Sequence, residues 1–264
     1  MSWFDRTRQA GLTGAAIRGL ARPRLASAAD SARGAGGLQA PRGQTTVVFL
    51  HIPKTAGQTI HAELVRVMGA QAASPVRVHS QAGPGAAQMP PGYSLYSGHI
   101  DWEALETLPE PRFVFTVLRD PLERIASFYF YLRHEATRLP PEELETRARI
   151  GMRKALRETA DDYFFGGDAI WQNFVLDHYH SPYCAYLVTR RMRGYRRIAD
   201  LPSETLLDRA ETAARALDGV YSVDGLGALE HDLKTRLGVD VDLRGRVVNA
   251  GPQDRSKRRW PELE

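Results

Sequence analysis

The run Thr45–Ile52, TTVVFLHI, is β-branched and apolar without alternation, which predicts a strand covered on both faces, as in parallel α/β sheets. Pro53 ends it, because proline has no N–H to donate and fixes its own φ. Gly57 then lets the backbone pass close to a neighbour, and Ile60, Leu64, Val67 and Met68 recur at helical spacing, predicting a helix over Thr59–Met68. A second unbroken apolar run, Phe113–Leu118, leads into Asp120-Pro121-x-Glu123, with Asp as N-cap, Pro at the first helical position and Glu at the third. Between the two, Ser94–Ser97 reads as a short strand broken by Gly98, with Asp101 placed to cap a helix beginning at Trp102. Leu139-Pro140-Pro141 is a break before a helix expected over Glu142–Thr159. Gly219–Asp224 reads as a further strand and Gly225–Leu237 as the helix after it. Strands alternating with helices predict an α/β fold: a P-loop-like, three-layer domain with a central, mainly parallel sheet flanked by helices.

Composition adjusts this picture at one end. The chain has 264 residues, 43% of them apolar, enough for one full core. Its formal charge of +4 points to nucleic acid only until the charge is located. Arg6, Arg8, Arg18, Arg22, Arg24, Arg33 and Arg42 face only Asp5 and Asp30 within residues 1–44, so that segment carries +5 and the rest −1. A broad basic surface, and with it specific nucleic-acid binding, is not expected of the remainder. The first 44 residues, rich in Ala, Gly and Arg, read as a flexible basic arm, residues 45–264 as one domain, and 134–200 as a helical acceptor-binding insertion. Residues 3–20 allow at most a weak basic amphipathic contact with a membrane surface. No apolar stretch of signal-peptide or membrane-spanning length occurs, so a soluble, cytoplasmic protein is expected. Cys184 is the only cysteine, which leaves no intrachain disulfide and no cysteine-based zinc site.

Candidate chemistry begins at FLHIPKTAGQTI, Phe49–Ile60. A strand, a tight turn and a helix N-terminus form an anion site, because first-turn amides and the helix dipole favour negative charge there. Lys54, one of only four lysines among 35 basic residues, adds a full positive charge. The order differs from the ATPase loop GxxxxGK[ST], since here the lysine precedes the glycine. Arg119 falls at a strand's carboxyl end, and Ser127 follows two turns into the next helix. A guanidinium fork and a hydroxyl suit a phosphate monoester, although Arg119 can also pair with Glu123.

HIPKTAGQT followed by FTVLRDPLERIASFY resembles the paired signatures of sulfotransferases that use 3′-phosphoadenosine 5′-phosphosulfate (PAPS), in particular the carbohydrate branch that includes heparan sulfate 2-O-sulfotransferase. The resemblance covers roughly residues 45–133. It implies that Lys54, Thr55, Gly57, Gln58 and Thr59 hold the phosphosulfate and that Arg119 and Ser127 hold the 3′-phosphate. It also implies a Gly-His element, here Gly98-His99, with His99 as the base and Lys54 as the second catalytic group, and no metal requirement. A neutral imidazole suits removal of an alcohol proton, with Glu63, Asp101 or Glu103 as other candidates.

The acceptor is less legible. Trp171–Arg197 crowds aromatics, histidines and arginines, which suits sugar rings bearing acidic groups, whereas Asn173-Phe-Val-Leu-Asp departs from the Asn-x-x-Thr-Arg pattern of such enzymes. His178 and His180 are possible metal ligands with no third ligand in view, or part of an aromatic core stripe. Arg255, Lys257, Arg258 and Arg259 either support the 3′-phosphate or form a solvated tail. The expectation is sulfuryl transfer from PAPS to a hydroxyl acceptor, a glycan or glycolipid. The alternatives are a Mg-dependent nucleotide or small-molecule kinase, and a non-catalytic nucleotide- or glycan-binding module.

Overall fold

The computed structural model describes residues 45–245; the arm 1–44, with its stretch 3–20, and the basic run at Arg255, Lys257, Arg258 and Arg259 lie outside the described residues. Four strands pair in parallel: β1 (Thr46–Leu50), β2 (Leu95–Gly98), β3 (Arg112–Leu118) and β4 (Gly219–Ser222), in the order β2-β1-β3-β4. Val48 lies opposite Tyr96 on one side and Val114 on the other, and Thr116 lies opposite Val220. The chain leaves β1 for β2 on one side and returns to β3 on the other. That reversal opens a crevice at the carboxyl end of β1, where open α/β sheets bind ligands.

Alternation along the strands builds two faces. Val47, Phe49, Phe113, Phe115 and Val117 pack with Ile60 and Leu64 of α1 (Gly57–Met68) and with Leu229 and Leu233 of α9 (Leu226–Leu237). Val48, Leu50, Tyr96 and Val114 pack with Tyr186 and Leu187 of α7 (Pro182–Thr189) and Leu206 and Ala210 of α8 (Ser203–Arg215). All of β1 is buried, as its unbroken apolar run requires. Each large side chain so covered contributes about 1.5–3 kcal/mol.

A third core is purely helical and aromatic. Tyr129 from α2 (Pro121–Ala136) meets Tyr163 and Phe164 of α5 (Ala160–Phe165) and Trp171 and Tyr179 of α6 (Ala169–Tyr179). The Tyr163 and Tyr179 hydroxyls hydrogen-bond to each other at 2.9 Å. The segment 134–200 thus divides. α4 (Ile150–Arg157), α5 and α6 serve this aromatic core, while α7 belongs to the layer that covers the sheet.

Several expectations are corrected. No helix starts at Trp102: the Asp101 carboxylate accepts the Met192 N–H at 2.8 Å, Trp102 N–H goes to the Arg190 carbonyl, and only a 3₁₀ turn forms at Leu105–Thr107. A tertiary partner has taken the cap. The helix expected over Glu142–Thr159 is broken into α3 (Pro141–Leu144), a 3₁₀ turn at Arg147–Arg149, and α4. Arg153 and Arg157 both pair with Glu145, at 3.2 and 2.6 Å, and fold the pieces together. Thr159 ends nothing; it caps α5 by accepting the Asp162 N–H. The Asp120 cap forms as read, its carboxylate accepting the Leu122 and Glu123 amides at 3.0 and 3.1 Å.

Candidate functional site

The turn after β1 is strained and clamped. Lys54 and Ala56 both adopt left-handed backbone, φ 74° and 63°, which costs a non-glycine residue about 1–2 kcal/mol. Such outliers persist where the surroundings over-determine them, commonly at functional sites. Two contacts do so here. The buried Thr55 hydroxyl donates to the Ile52 carbonyl at 2.8 Å. The fully buried Arg124 donates from Nε to the Pro53 carbonyl at 3.1 Å and from Nη1 to the His178 carbonyl at 2.6 Å. The helical ladder of α1 then starts with Ile60 N–H to Ala56 C=O, so the positive end of its dipole sits at the turn.

Gly57 serves a different purpose from a φ-permissive turn residue. A Cβ there would lie 1.7 Å from His51 Nε2, so glycine is needed to seat the imidazole of His51, which stacks on Phe49. Gln58 is exposed and Thr59 buried on the first turn of α1.

Lys54 lies over the Tyr131 ring, its Nζ 4.0 Å from the centroid. Burial pushes its pKa down to about 8, the Arg119 charge adds to the shift, Glu135 opposes it, and Arg124 lowers it further. Arg119 is therefore near enough for its charge to act on Lys54. Its backbone is held on both sides by Tyr183, whose hydroxyl accepts the Arg119 N–H and donates to its carbonyl at 2.8 Å. The Arg119 guanidinium rests on the Glu123 carboxylate at 3.5 Å, the pairing foreseen as an alternative, and half-buried Ser127 follows one turn further along α2.

His99 follows β2 and meets the same turn from the other side. Its Nδ1 is 2.9 Å from the His51 carbonyl, which can only accept, so Nδ1 carries the proton and Nε2 keeps its lone pair. The two imidazoles are 4.1 Å apart. Burial lowers the His99 pKa to about 4, the hydrogen bond to His51 opposes this, and the Arg77, Arg124 and His79 charges lower it further. His99 is thus a neutral ring of defined tautomer at neutral pH, tied to the first residue of the turn that carries Lys54.

The carboxylates offered as other bases are occupied. Glu63 binds Arg66 and accepts the Asp242 amide, Asp101 accepts the Met192 amide, and Glu103 pairs with Arg191 and Arg197. His178 is a packing residue: its Nδ1 donates to the Phe174 carbonyl at 2.9 Å and its ring stacks on Phe128 and Phe174. The His180 ring meets Tyr195 edge-on, and Cys184 is buried in α7. Sequence reading missed Arg124 as the clamp of the turn, and it missed His51, His61, Arg77 and His79. No local pattern marks these residues, because each acquires its partners across the fold.

A parallel α/β sheet, with a cationic strained turn and a helix N-terminus at its switch point and a neutral histidine tied to that turn, is an arrangement suited to an anionic group. A family model described as "Sulfotransferase family" matches residues 42–201, and the chain belongs to that family. The match is to the family as a whole and singles out no branch within it. Comparison with curated proteins returned no match. Among the described residues, no helix is long and apolar enough to cross a membrane.

Proposed function

We propose that this enzyme transfers the sulfuryl group of PAPS to a hydroxyl of a glycan or glycolipid acceptor. The observation that carries the reading is the hydrogen bond from His99 Nδ1 to the His51 carbonyl. It leaves a neutral Nε2 lone pair beside a turn that bears Lys54 and a helix N-terminus. In this reading Lys54, Thr55, Gly57, Gln58 and Thr59 hold the phosphosulfate. Arg119 and Ser127 take the 3′-phosphate, with Arg119 exchanging its loose contact to Glu123 for a stronger, charge-assisted one.

Sulfuryl transfer, like phosphoryl transfer, has little covalent chemistry for a protein to perform, so positioning and charge stabilisation dominate. Bound donor supplies the group to be transferred and a nucleotide leaving group. Lys54 neutralises charge that grows on the leaving phosphate, and the same charge raises the Lys54 pKa from about 8, keeping the ammonium protonated. His99 Nε2 accepts the acceptor's hydroxyl proton as attack proceeds. The scheme assigns charge neutralisation to side chains and helix N-terminus and needs no metal. Lys54→Ala is expected to lower turnover by about 10²- to 10³-fold, as loss of an oxyanion donor does.

The test is calorimetric titration with 3′-phosphoadenosine 5′-phosphate (PAP), the product nucleotide, without Mg²⁺, on the wild type and on Arg119→Ala. Micromolar binding that weakens at least tenfold in the variant is expected. Binding of ATP with Mg²⁺ but not of PAP would replace this reading with a kinase. PAP binding with no turnover in an acceptor screen, unaffected by His99→Ala, would replace it with a binding module.

A further inference from the structure

A second basic cluster lies beside His99, built by a segment that the catalytic reading does not use. Val78 bridges His99 in parallel, His99 N–H donates to the Arg77 carbonyl at 2.8 Å, and His79 N–H donates to the His99 carbonyl at 2.7 Å. A Cβ on Gly98 would come within 2.3 Å of the Arg77 carbonyl oxygen, so glycine is what permits this approach. His79 opens a 3₁₀ turn, His79–Gln81, and its ring lies in the field of Arg193, Asp101 and Asp177, so its surroundings differ from those of Arg77. Arg77 Nη1 donates to His61 Nε2 of α1 at 2.5 Å, so the His61 ring is neutral with its proton on Nδ1.

These residues leave polar groups unanswered. Arg77 Nε, His61 Nδ1 and Ser97 Oγ are buried without a hydrogen-bond partner, three of the seven such side-chain atoms among the described residues. Ser97, paired in register with Phe49, faces the α1 side of the sheet. Buried polar atoms are nearly always satisfied, so a concentration of exceptions calls for a ligand. Arg77 is half-buried and only burial acts on its pKa, downward, so no carboxylate among the described residues compensates its charge. Its charge also lowers the pKa of both His51 and His99, which places it in the field of the proposed base. A guanidinium, an imidazole N–H and a hydroxyl, with no acid among them, are the donor set for an oxyanion.

We infer that Arg77, with His61 and Ser97, forms an oxyanion-binding subsite beside His99. Its anion comes either from an acidic group on the acceptor or from the sulfonate end of the donor, and that choice of sources rests on the PAPS reading above.

The probe is inorganic sulfate, added at constant ionic strength to PAP-saturated protein labelled at its histidines and followed by NMR. Saturable shifts of the His61 ring resonances are expected, with sulfate affinity at least tenfold weaker in Arg77→Gln and partly restored in Arg77→Lys. PAP affinity equal to wild type reports that each variant is folded. If the donor supplies the anion, wild type binds PAPS more tightly than PAP and Arg77→Gln loses that preference. If the acceptor supplies it, the preference is unchanged and methyl glucuronide, but not methyl glucoside, displaces sulfate. No shift at His61, or equal sulfate affinity in Arg77→Gln, overturns the subsite. Failure of the wild type to bind PAP defeats the sulfotransferase reading instead, and the same sulfate titration without PAP then decides the subsite on its own.

Discussion

The protonation state of His99 is the sharpest quantity in this site. Burial lowers its pKa from 6.5 to about 4, which corresponds to about 3 kcal/mol in favour of the neutral ring. The perturbation is PAP binding. One anionic charge within about 6–8 Å, at an effective dielectric of about 20, contributes about 2–3 kcal/mol to the charged ring. Bound nucleotide is therefore expected to move the pKa of His99 back toward 6. The assay is an NMR titration of the His99 ring carbons, assigned with His99→Gln, in free and PAP-saturated protein. A second readout is stability. Folding lowers this pKa, so the unfolded chain binds the proton more readily between pH 6.5 and about 4. The stability from this ring is complete above 6.5, falls as the pH drops toward 4, and levels off below. Urea unfolding of wild type against His99→Gln across that window measures the slope. A free-protein pKa at or above 6, or one that PAP leaves unmoved, would refute the reasoning that an anion binds beside a desolvated base.

Gly57→Ala would drive a methyl group into the His51 ring; thermal unfolding is expected to show a loss of about 1–3 kcal/mol, and calorimetry a weaker PAP affinity, because the turn must shift. Arg124→Met leaves the Pro53 and His178 carbonyls without their donor, a loss of about 1–3 kcal/mol by urea unfolding. Because the Arg124 charge lowers Lys54, the same variant is expected to raise the Lys54 pKa above 8 in an NMR titration; an unchanged value would mean the guanidinium acts on the turn only mechanically. Asp120→Ala removes the cap of α2, about 0.5–2 kcal/mol in urea, with PAP affinity held near wild type if Arg119 is positioned by Tyr183 rather than by the cap.

What the chain determines locally was legible in it. Unbroken apolar runs specify β1 and β3 because a strand buried on both faces needs them. Asp120-Pro121 specifies a helix start because a carboxylate two or three residues before open amides satisfies them wherever the helix packs. The lysine turn after β1 and the histidine after β2 were likewise readable, since strand ends in a parallel sheet share one edge. Tertiary structure alone decided what depends on a partner distant in sequence. Asp101 lost its helix to the Met192 amide, 91 residues away, and Glu63 became a structural anchor through Asp242, 179 residues away. Gly57 is small for the sake of His51, and Arg124 is buried for the sake of Pro53 and His178. Arg77 meets His61 only because the segment that carries it lies against the end of β2. Periodicity and capping are properties of a few adjacent residues. Hydrogen bonds, charge fields and steric room between distant segments exist only once the sheet has brought them together.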